Sequence, residues 1–92
     1  MTKEKTVLVV SDDPEMCRAV EQEMRWIGVR VERAAGGLEA LEMLRSETPG
    51  TVLYASSLLD RDGGEILEHM RREAPDARFV RFETRPIHVG VA

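Results

Sequence analysis

The chain has 92 residues, enough for one small domain, and its 42% hydrophobic content is ordinary for a globular protein. No apolar run approaches the roughly 18 residues that a membrane-spanning helix needs, and no signal-peptide pattern opens the chain. A net charge of −4, with both signs interspersed, argues against direct nucleic-acid binding. The single cysteine, Cys17, excludes an internal disulfide and fits a reducing cytoplasm, where we expect the protein to act.

The first half of the chain alternates apolar runs with helical patterns. Residues 6–10 are continuously apolar and rich in β-branched side chains, which predicts a buried strand. Asp13 and Pro14 suit the start of a helix, and Gly28 suits its end. The apolar stripe of this helix consists of four residues at spacings of four, four and three: Met16, Val20, Met24 and Ile27. The only tryptophan, Trp26, is predicted to pack at the end of this helix, with an interface anchor as the alternative.

The same alternation continues through the middle of the chain. Residues 29–33 alternate valine with charged residues, which predicts a more exposed strand. A second helix follows, on which three leucines are predicted to share one buried face: Leu38, Leu41 and Leu44. Pro49 and Gly50 are predicted to form a break, and residues 51–55 a buried strand.

A third helix and a fourth strand complete the pattern. The helix carries Ile66, Leu67 and Met70, and residues 78–82 read as the strand. Strands that alternate with helices indicate an α/β fold with a parallel sheet, and right-handed crossovers place three helices on its two faces. The expected strand order is 2-1-3-4, as in flavodoxin-like folds.

The last residues have strand character but cannot add a parallel strand to the sheet. A parallel crossover needs about a dozen residues, and the link after the fourth strand has about four. We therefore divide the chain into a domain at residues 1–84 and a tail at residues 85–92. The tail has three open alternatives: an antiparallel edge strand, a cover across an exposed face, or a strand that pairs with another molecule. Its alternating apolar residues are Ile87, Val89 and Val91.

Three segments carry a family resemblance. Residues 7–16 (VLVVSDDPEM), 34–41 (AAGGLEAL) and 58–63 (LLDRDG) resemble, in order and spacing, the receiver domain of chemotaxis-type response regulators. The resemblance implies the flavodoxin-like fold and a bacterial signalling role, often in transcriptional control. It also implies a truncated domain, which lacks the usual fourth helix, fifth strand and fifth helix.

The resemblance implies a five-part phosphorylation site, of which this chain retains little. The first of two magnesium-binding acids corresponds to Ser11, the second to Asp12, and the phosphorylated aspartate to Ala55. The Ser/Thr position falls at Glu83, or at Thr84 if the register slips by one, and the lysine has no counterpart. Asp12 alone is a weak metal candidate because Mg²⁺ requires several oxygen ligands. We therefore expect no catalytic residue, no metal and no cofactor.

These substitutions predict a pseudo-receiver, a non-enzymatic interaction module that works without phosphorylation. The alternatives are a phosphorylatable receiver with an unusual acceptor, the first part of a longer response regulator, and a flavodoxin-like domain that binds a small ligand near Ser11, Asp12 and Ser56. Only acidic and hydroxyl groups are expected in such a ligand site, which disfavours an anionic nucleotide.

The predicted partner is a second copy of the chain, with a partner protein or downstream regulator domain as the alternative. An uncovered fourth strand would leave an open edge and apolar surface, both of which invite pairing. The predicted interface joins this strand to the tail through Phe79, Val80, Arg81, Phe82, Ile87, Val89 and Val91.

Overall fold

The computed structural model of the chain describes residues 3–58 and 64–82. Four strands form one parallel sheet in the order β2-β1-β3-β4, which confirms the predicted architecture. The strands are β1 (Lys3–Val10), β2 (Arg30–Ala34), β3 (Pro49–Ala55) and β4 (Arg78–Phe82). The helices are α1 (Pro14–Trp26), α2 (Gly37–Ser46) and α3 (Glu65–Glu73), and residues 56–58 form a short helical turn after β3.

The register of the strands assigns each side chain to one of two faces. Leu8 lies beside Val52, and Val52 beside Phe79. One residue further along, Val9 lies beside Leu53, and Leu53 beside Val80. Because side chains alternate along a strand, the first row points to one face of the sheet and the second row to the other.

Helices α2 and α3 cover the first face, which we call the α2–α3 face. Eleven buried residues form its core: Leu8, Val10, Ala34, Ala40, Leu44, Val52, Tyr54, Leu58, Ile66, Met70 and Ala74. The two helices approach closely at Gly37, where an added Cβ would collide with the side chain of Ile66. A glycine at this position therefore permits the close packing of α2 on α3.

Helix α1 covers the opposite face, which we call the α1 face. Its core has three buried residues, Val7, Val9 and Cys17. Five half-buried apolar residues pack around them: Val20, Val29, Val31, Leu53 and Phe82. The helix begins at the cap of Asp13 and ends before Gly28, whose φ of +75° favours glycine.

Four sequence-based predictions about packing and element bounds are wrong. Ile27 does not continue the packed apolar stripe of α1, since it is 71% exposed. Trp26 does not pack at the end of α1, since its side chain is 88% exposed. Leu38 is 78% exposed, so it does not share the buried face of Leu44. Pro49 is not part of a break but the first residue of β3, a position where the missing N–H of proline is tolerated. A register shift in β1 between Lys3 and Val7 accommodates this longer strand.

The tail at residues 85–92 lies outside the described residues, and its division from the domain stays a prediction. Within the described ranges, no helix combines the length and hydropathy that a membrane crossing requires.

Candidate functional site

The carboxyl ends of β1 and β3 meet at one edge of the sheet. Val10 is the last residue of β1 and lies beside Tyr54, and Ala55 is the last residue of β3. The loop after β1 begins with Ser11. The structure therefore brings the predicted positions Ser11, Asp12 and Ala55 to the same edge, as expected for parallel strands.

Ser11 is 5% exposed, and hydrogen bonds fix both its backbone and its side chain. Its N–H donates to the carbonyl of Ala34 (3.0 Å), and its Oγ accepts from the N–H of Asp13 (3.1 Å). Its carbonyl faces the Cys17 Sγ at 3.9 Å. The hydroxyl therefore closes the turn between β1 and α1 as an acceptor.

The two aspartates that follow Ser11 have different surroundings. The Asp13 Oδ1 accepts from the N–H groups of Glu15 (3.0 Å) and Met16 (3.4 Å), so this carboxylate caps α1. Asp12 is solvent-exposed. Both carboxylates are thus exposed, and that of Asp13 is committed to the helix terminus.

Ala55 occupies the position at which the resemblance places the phosphorylated residue. It is 1% exposed and lies beside Phe82 of β4. Its methyl group has no oxygen to attack a phosphoryl donor or to bind a cation. Ser56 and Ser57, the next hydroxyl groups along the chain, are half-buried in the helical turn after β3.

These residues do not fit a magnesium ion. Mg²⁺ prefers near-octahedral oxygen coordination with at least one or two carboxylates. At this edge the Ser11 hydroxyl accepts a backbone hydrogen bond, the Asp13 carboxylate caps α1, and Ala55 offers a methyl group. Across residues 3–58 and 64–82, no three side chains of His, Cys, Asp or Glu cluster at metal-binding distance.

A cavity of about 310 Å³ lies beside Ser11, between the ends of β1 and β2. Asp12, Cys17, Arg33 and Glu39 contribute to its walls. The expectation of acidic and hydroxyl groups alone is wrong, because Arg33 brings a guanidinium group to this site. The β1–β2 register could have revealed it, since Arg33 lies beside Val9 on the α1 face.

Cys17 has the surroundings of a buried, unactivated thiol. Its side chain is 3% exposed, and burial away from water is the main cause that raises the pKa of its thiol; the nearby Arg33 charge acts in the opposite direction. The interpretation of Cys17 as a small buried apolar residue is confirmed by its place in the core.

The other predicted positions fall into two groups. Glu83 and Thr84, which resemble the Ser/Thr position of the family, lie outside the described residues, as do Ile87, Val89 and Val91 of the predicted interface. The remaining interface residues lie on β4. Val80 and Phe82 point to the α1 face, and Phe79 and Arg81 to the α2–α3 face.

Comparisons with known proteins agree with this fold. The family model of the response regulator receiver domain matches residues 7–84. TcrX of Mycobacterium tuberculosis, a probable transcriptional regulatory protein, is 33% identical in a match that spans 76% of this chain and 30% of TcrX. The probable transcriptional regulator ycf27 of Porphyra purpurea is 35% identical over 78% of this chain and 29% of its own length. The chain thus spans less than a third of these relatives.

Two solved structures are similar in fold. A CheY-like receiver domain protein of Methanospirillum hungatei superposes with a TM-score of 0.78 at 26% identity, over 92% of this chain and 68% of that one. A response regulator of Burkholderia pseudomallei, solved with a phosphorylated aspartic acid, a calcium ion and citrate, gives a TM-score of 0.79 at 20% identity. That match covers 92% of this chain and 50% of the other.

Proposed function

Because this chain belongs to the response regulator receiver domain family, we propose that it is a pseudo-receiver, which binds partners without being phosphorylated. Receiver domains are signalling modules of two-component systems, and the curated relatives are transcriptional regulators. In this proposal the protein keeps the receiver fold as a scaffold in a cytoplasmic pathway and catalyses no phosphoryl transfer.

The observation that carries the proposal is Ala55 at the end of β3. The family resemblance places the phosphorylated aspartate at this position, which here holds a methyl group that is 1% exposed. The loss extends to the neighbouring loop, where Ser11 stands in place of the first acid and its hydroxyl holds a turn. In this proposal, Ala55 leaves the site without a phosphoryl acceptor, and Ser11 leaves it without one of the carboxylates that Mg²⁺ prefers.

The proposed partner is a second copy of the chain, which docks on β4. This strand is the last in the order of described strands, so its outer edge has no strand neighbour within the described residues. Val80 is 38% exposed on the α1 face, and Phe82 and Leu53 are half-buried beside it. Burial of such an apolar edge stabilises association. The tail, with Ile87, Val89 and Val91, is proposed to add a strand to this contact.

The first experiment is incubation with acetyl phosphate and Mg²⁺, followed by intact-mass measurement. We expect no mass increase of one phosphoryl group, while a receiver that retains its aspartate gains it under the same conditions. Sedimentation before and after the incubation should give the same mass distribution. A phosphorylated product, or an oligomeric state that changes with acetyl phosphate, would contradict the proposal.

A pair of variants tests the role of β4. Val80→Lys places a charge on the proposed contact, and we expect it to weaken self-association about tenfold or more because the charge must be desolvated. Ala19→Lys is the matched control, since it adds the same charge at an exposed position of α1. Equal sedimentation behaviour of both variants and the unmodified chain would exclude the β4 contact.

A second candidate function is the binding of a small anion in the cavity beside Ser11. Arg33 in its wall favours this alternative, and the carboxylates of Asp12 and Glu39 oppose it. Thermal unfolding in millimolar phosphate or acetate distinguishes the two functions. A rise in melting temperature that Arg33→Ala abolishes would support an anion site, and equal melting temperatures would exclude it.

A further inference from the structure

The described surface exposes three large apolar side chains strongly, and they lie at opposite ends of the domain. Trp26, Ile27 and Leu38 are 88%, 71% and 78% exposed. Helix α1 starts after the carboxyl end of β1 and returns to the amino end of β2, so Trp26 and Ile27 lie at the amino edge of the sheet. Leu38 follows the carboxyl end of β2 and lies at the opposite edge. Exposed apolar groups of this size mark contact surfaces when they are clustered.

Trp26 and Ile27 form an apolar projection with a basic border, which we call the knob. Arg25 lies next to Trp26 and lines a shallow surface groove with it. Arg30 opens β2 just beyond the turn, and it is exposed. Glu23 is the one carboxylate in the last turn of α1. The negative end of the α1 dipole stabilises Arg25 at this place and offsets part of its positive charge.

The opposite edge carries an apolar cleft with an acidic border. Its volume is about 530 Å³, and it lies between the starts of α2 and α3. Leu38, Leu58 and Ile66 supply apolar walls, and Glu39 and Glu65 supply carboxylates. A hydrogen bond from the N–H of Ala35 holds the Glu39 carboxylate in place (2.5 Å). Among the described residues of the lining, His69 is the remaining titratable side chain, and it is exposed.

The knob and the cleft are complementary in three respects. The knob projects and the cleft recedes, both are apolar at the centre, and their borders carry opposite charge. A volume of about 530 Å³ lies in the range of sites that enclose a ligand larger than one aromatic side chain. A tryptophan that fills an apolar pocket, surrounded by paired charges, is the usual arrangement of the residues that dominate binding energy at interfaces.

We propose that the knob of one copy docks in the cleft of a second copy, so that the chains associate end to end. Arg25 and Arg30 of one copy then face Glu39 and Glu65 of the next. The two surfaces differ, so the contact is heterologous, and it repeats from copy to copy unless a ring closes. Neither surface includes β4, and the end-to-end contact therefore does not depend on the pairing proposed for that strand.

The experiment isolates this contact by using Val80→Lys as the background, because that substitution is expected to weaken the β4 contact. In sedimentation velocity we expect the average mass to rise with protein concentration. Trp26 is the only tryptophan of the chain, so its emission should shift to shorter wavelength over the same concentrations as the indole ring leaves water. Raising the salt from about 0.1 M to about 1 M should weaken both effects, since the Debye length falls from about 10 Å to about 3 Å and the charged borders are screened.

Two single variants and their mixture give the decisive result. Trp26→Ala removes the knob, and Leu38→Lys places a cation in the cleft; both positions are exposed, so the fold should survive. Each variant alone should associate at least about tenfold more weakly. An equimolar mixture should form dimers and nothing larger, because one variant retains the cleft and the other retains the knob. Arg18→Ala, at an exposed position of α1, is the control that should leave association unchanged.

The possible results separate the two proposed contacts. If Val80→Lys alone abolishes association, the end-to-end contact is wrong and the β4 contact stands. If Val80→Lys has no effect while Trp26→Ala dissociates the chains, the β4 contact is wrong and the end-to-end contact stands. A mixture that stays monomeric, or a Trp26 emission that is independent of concentration, overturns the end-to-end proposal.

Discussion

The two faces of the sheet differ in how completely the described residues cover them. The α2–α3 face buries eleven residues under two helices that contact each other, and Phe79 and Leu67 pack against this core. The core cluster of the α1 face has three buried residues, and the larger apolar side chains that β3 and β4 place there, Leu53, Val80 and Phe82, remain half-buried or exposed. Hydrophobic stabilisation scales with the apolar area removed from water. The α2–α3 face therefore contributes most of the stability, and the α1 face has apolar surface left for contacts.

The largest expected effect is a difference in the free energy of unfolding between truncations on the two faces. Met70 is fully buried on the α2–α3 face, and Met70→Ala should lower the free energy of unfolding by about 2–5 kcal/mol. Leu53 is half-buried on the α1 face, and Leu53→Ala should cost about half as much or less in dilute solution. Urea unfolding of both variants measures this difference.

Two further results sharpen this prediction. Should Met70→Ala fail to fold, Ile66→Val is the milder probe of the same core and should cost about 0.5–1.5 kcal/mol. The cost of Leu53→Ala should grow with protein concentration if a second copy covers the α1 face. Equal losses of unfolding free energy for Met70→Ala and Leu53→Ala in dilute solution would mean that the two faces are equally well covered.

The sequence predicts the framework of both faces because periodicity and β-branched runs reflect burial directly. The alternation of strands and helices and the topology rules were sufficient for the order 2-1-3-4. The same periodicity misplaced Ile27 and Leu38, since a hydrophobic stripe does not reveal where a helix extends past the sheet. Both residues lie at helix ends, where no neighbouring strand covers the stripe.

Some features of the candidate site could be predicted from the sequence, and others could not. Ser11, Asp12 and Ala55 could be placed together because they follow the ends of adjacent parallel strands. The contribution of Arg33 depends on the strand register, which the sequence alone does not determine. The commitment of Asp13 to the helix cap could be predicted from the Asp-Pro pair, and the structure confirms that cap.

A second prediction concerns how α1 is held, since Cys17 is the only residue of this helix that is buried. Because few contacts fix α1, its cap should matter: Asp13→Ala should lower the free energy of unfolding by about 1 kcal/mol. Asp13→Asn keeps a capping oxygen and should lower the free energy of unfolding by only a few tenths of a kcal/mol, which makes it the matched control. Chemical denaturation followed by circular dichroism measures both. A cost for Asp13→Asn as large as that for Asp13→Ala would indicate that the charge, not the cap, holds the helix.

A third prediction uses pH to probe the core of the α1 face. Burial raises the pKa of the Cys17 thiol above its ordinary value of 9.0. Above that pH the unfolded chain loses the thiol proton while the folded chain retains it, so the folded state binds more protons. The free energy of unfolding should therefore fall as pH rises beyond about 9. Cys17→Ala should flatten this part of the profile.

Thiol reactivity provides an independent check of the same group. Alkylation of Cys17 by iodoacetamide should be slow in the native protein at pH 8 and fast in urea, because the reactive species is the thiolate. Rapid alkylation of the native chain would show that α1 opens readily from the sheet. The α1 face would then be less stable, relative to the α2–α3 face, than its burial alone indicates.

The smallest effect belongs to the polar contact that joins the two helices of the better-covered face. The Arg45 Nε lies 3.4 Å from the Glu73 Oε1, and these side chains are 65% and 36% exposed. Solvent screens such a pair, so Glu73→Gln should change the free energy of unfolding by no more than about 0.5 kcal/mol. Glu68→Gln, an exposed position on the same helix, is the control for the loss of one negative charge. A cost above about 1 kcal/mol that Glu68→Gln does not share would mean that the pairing of α2 with α3 depends on this ion pair. If Glu73→Gln has no such cost, the pairing of α2 with α3 depends on apolar packing at Gly37 and Ile66.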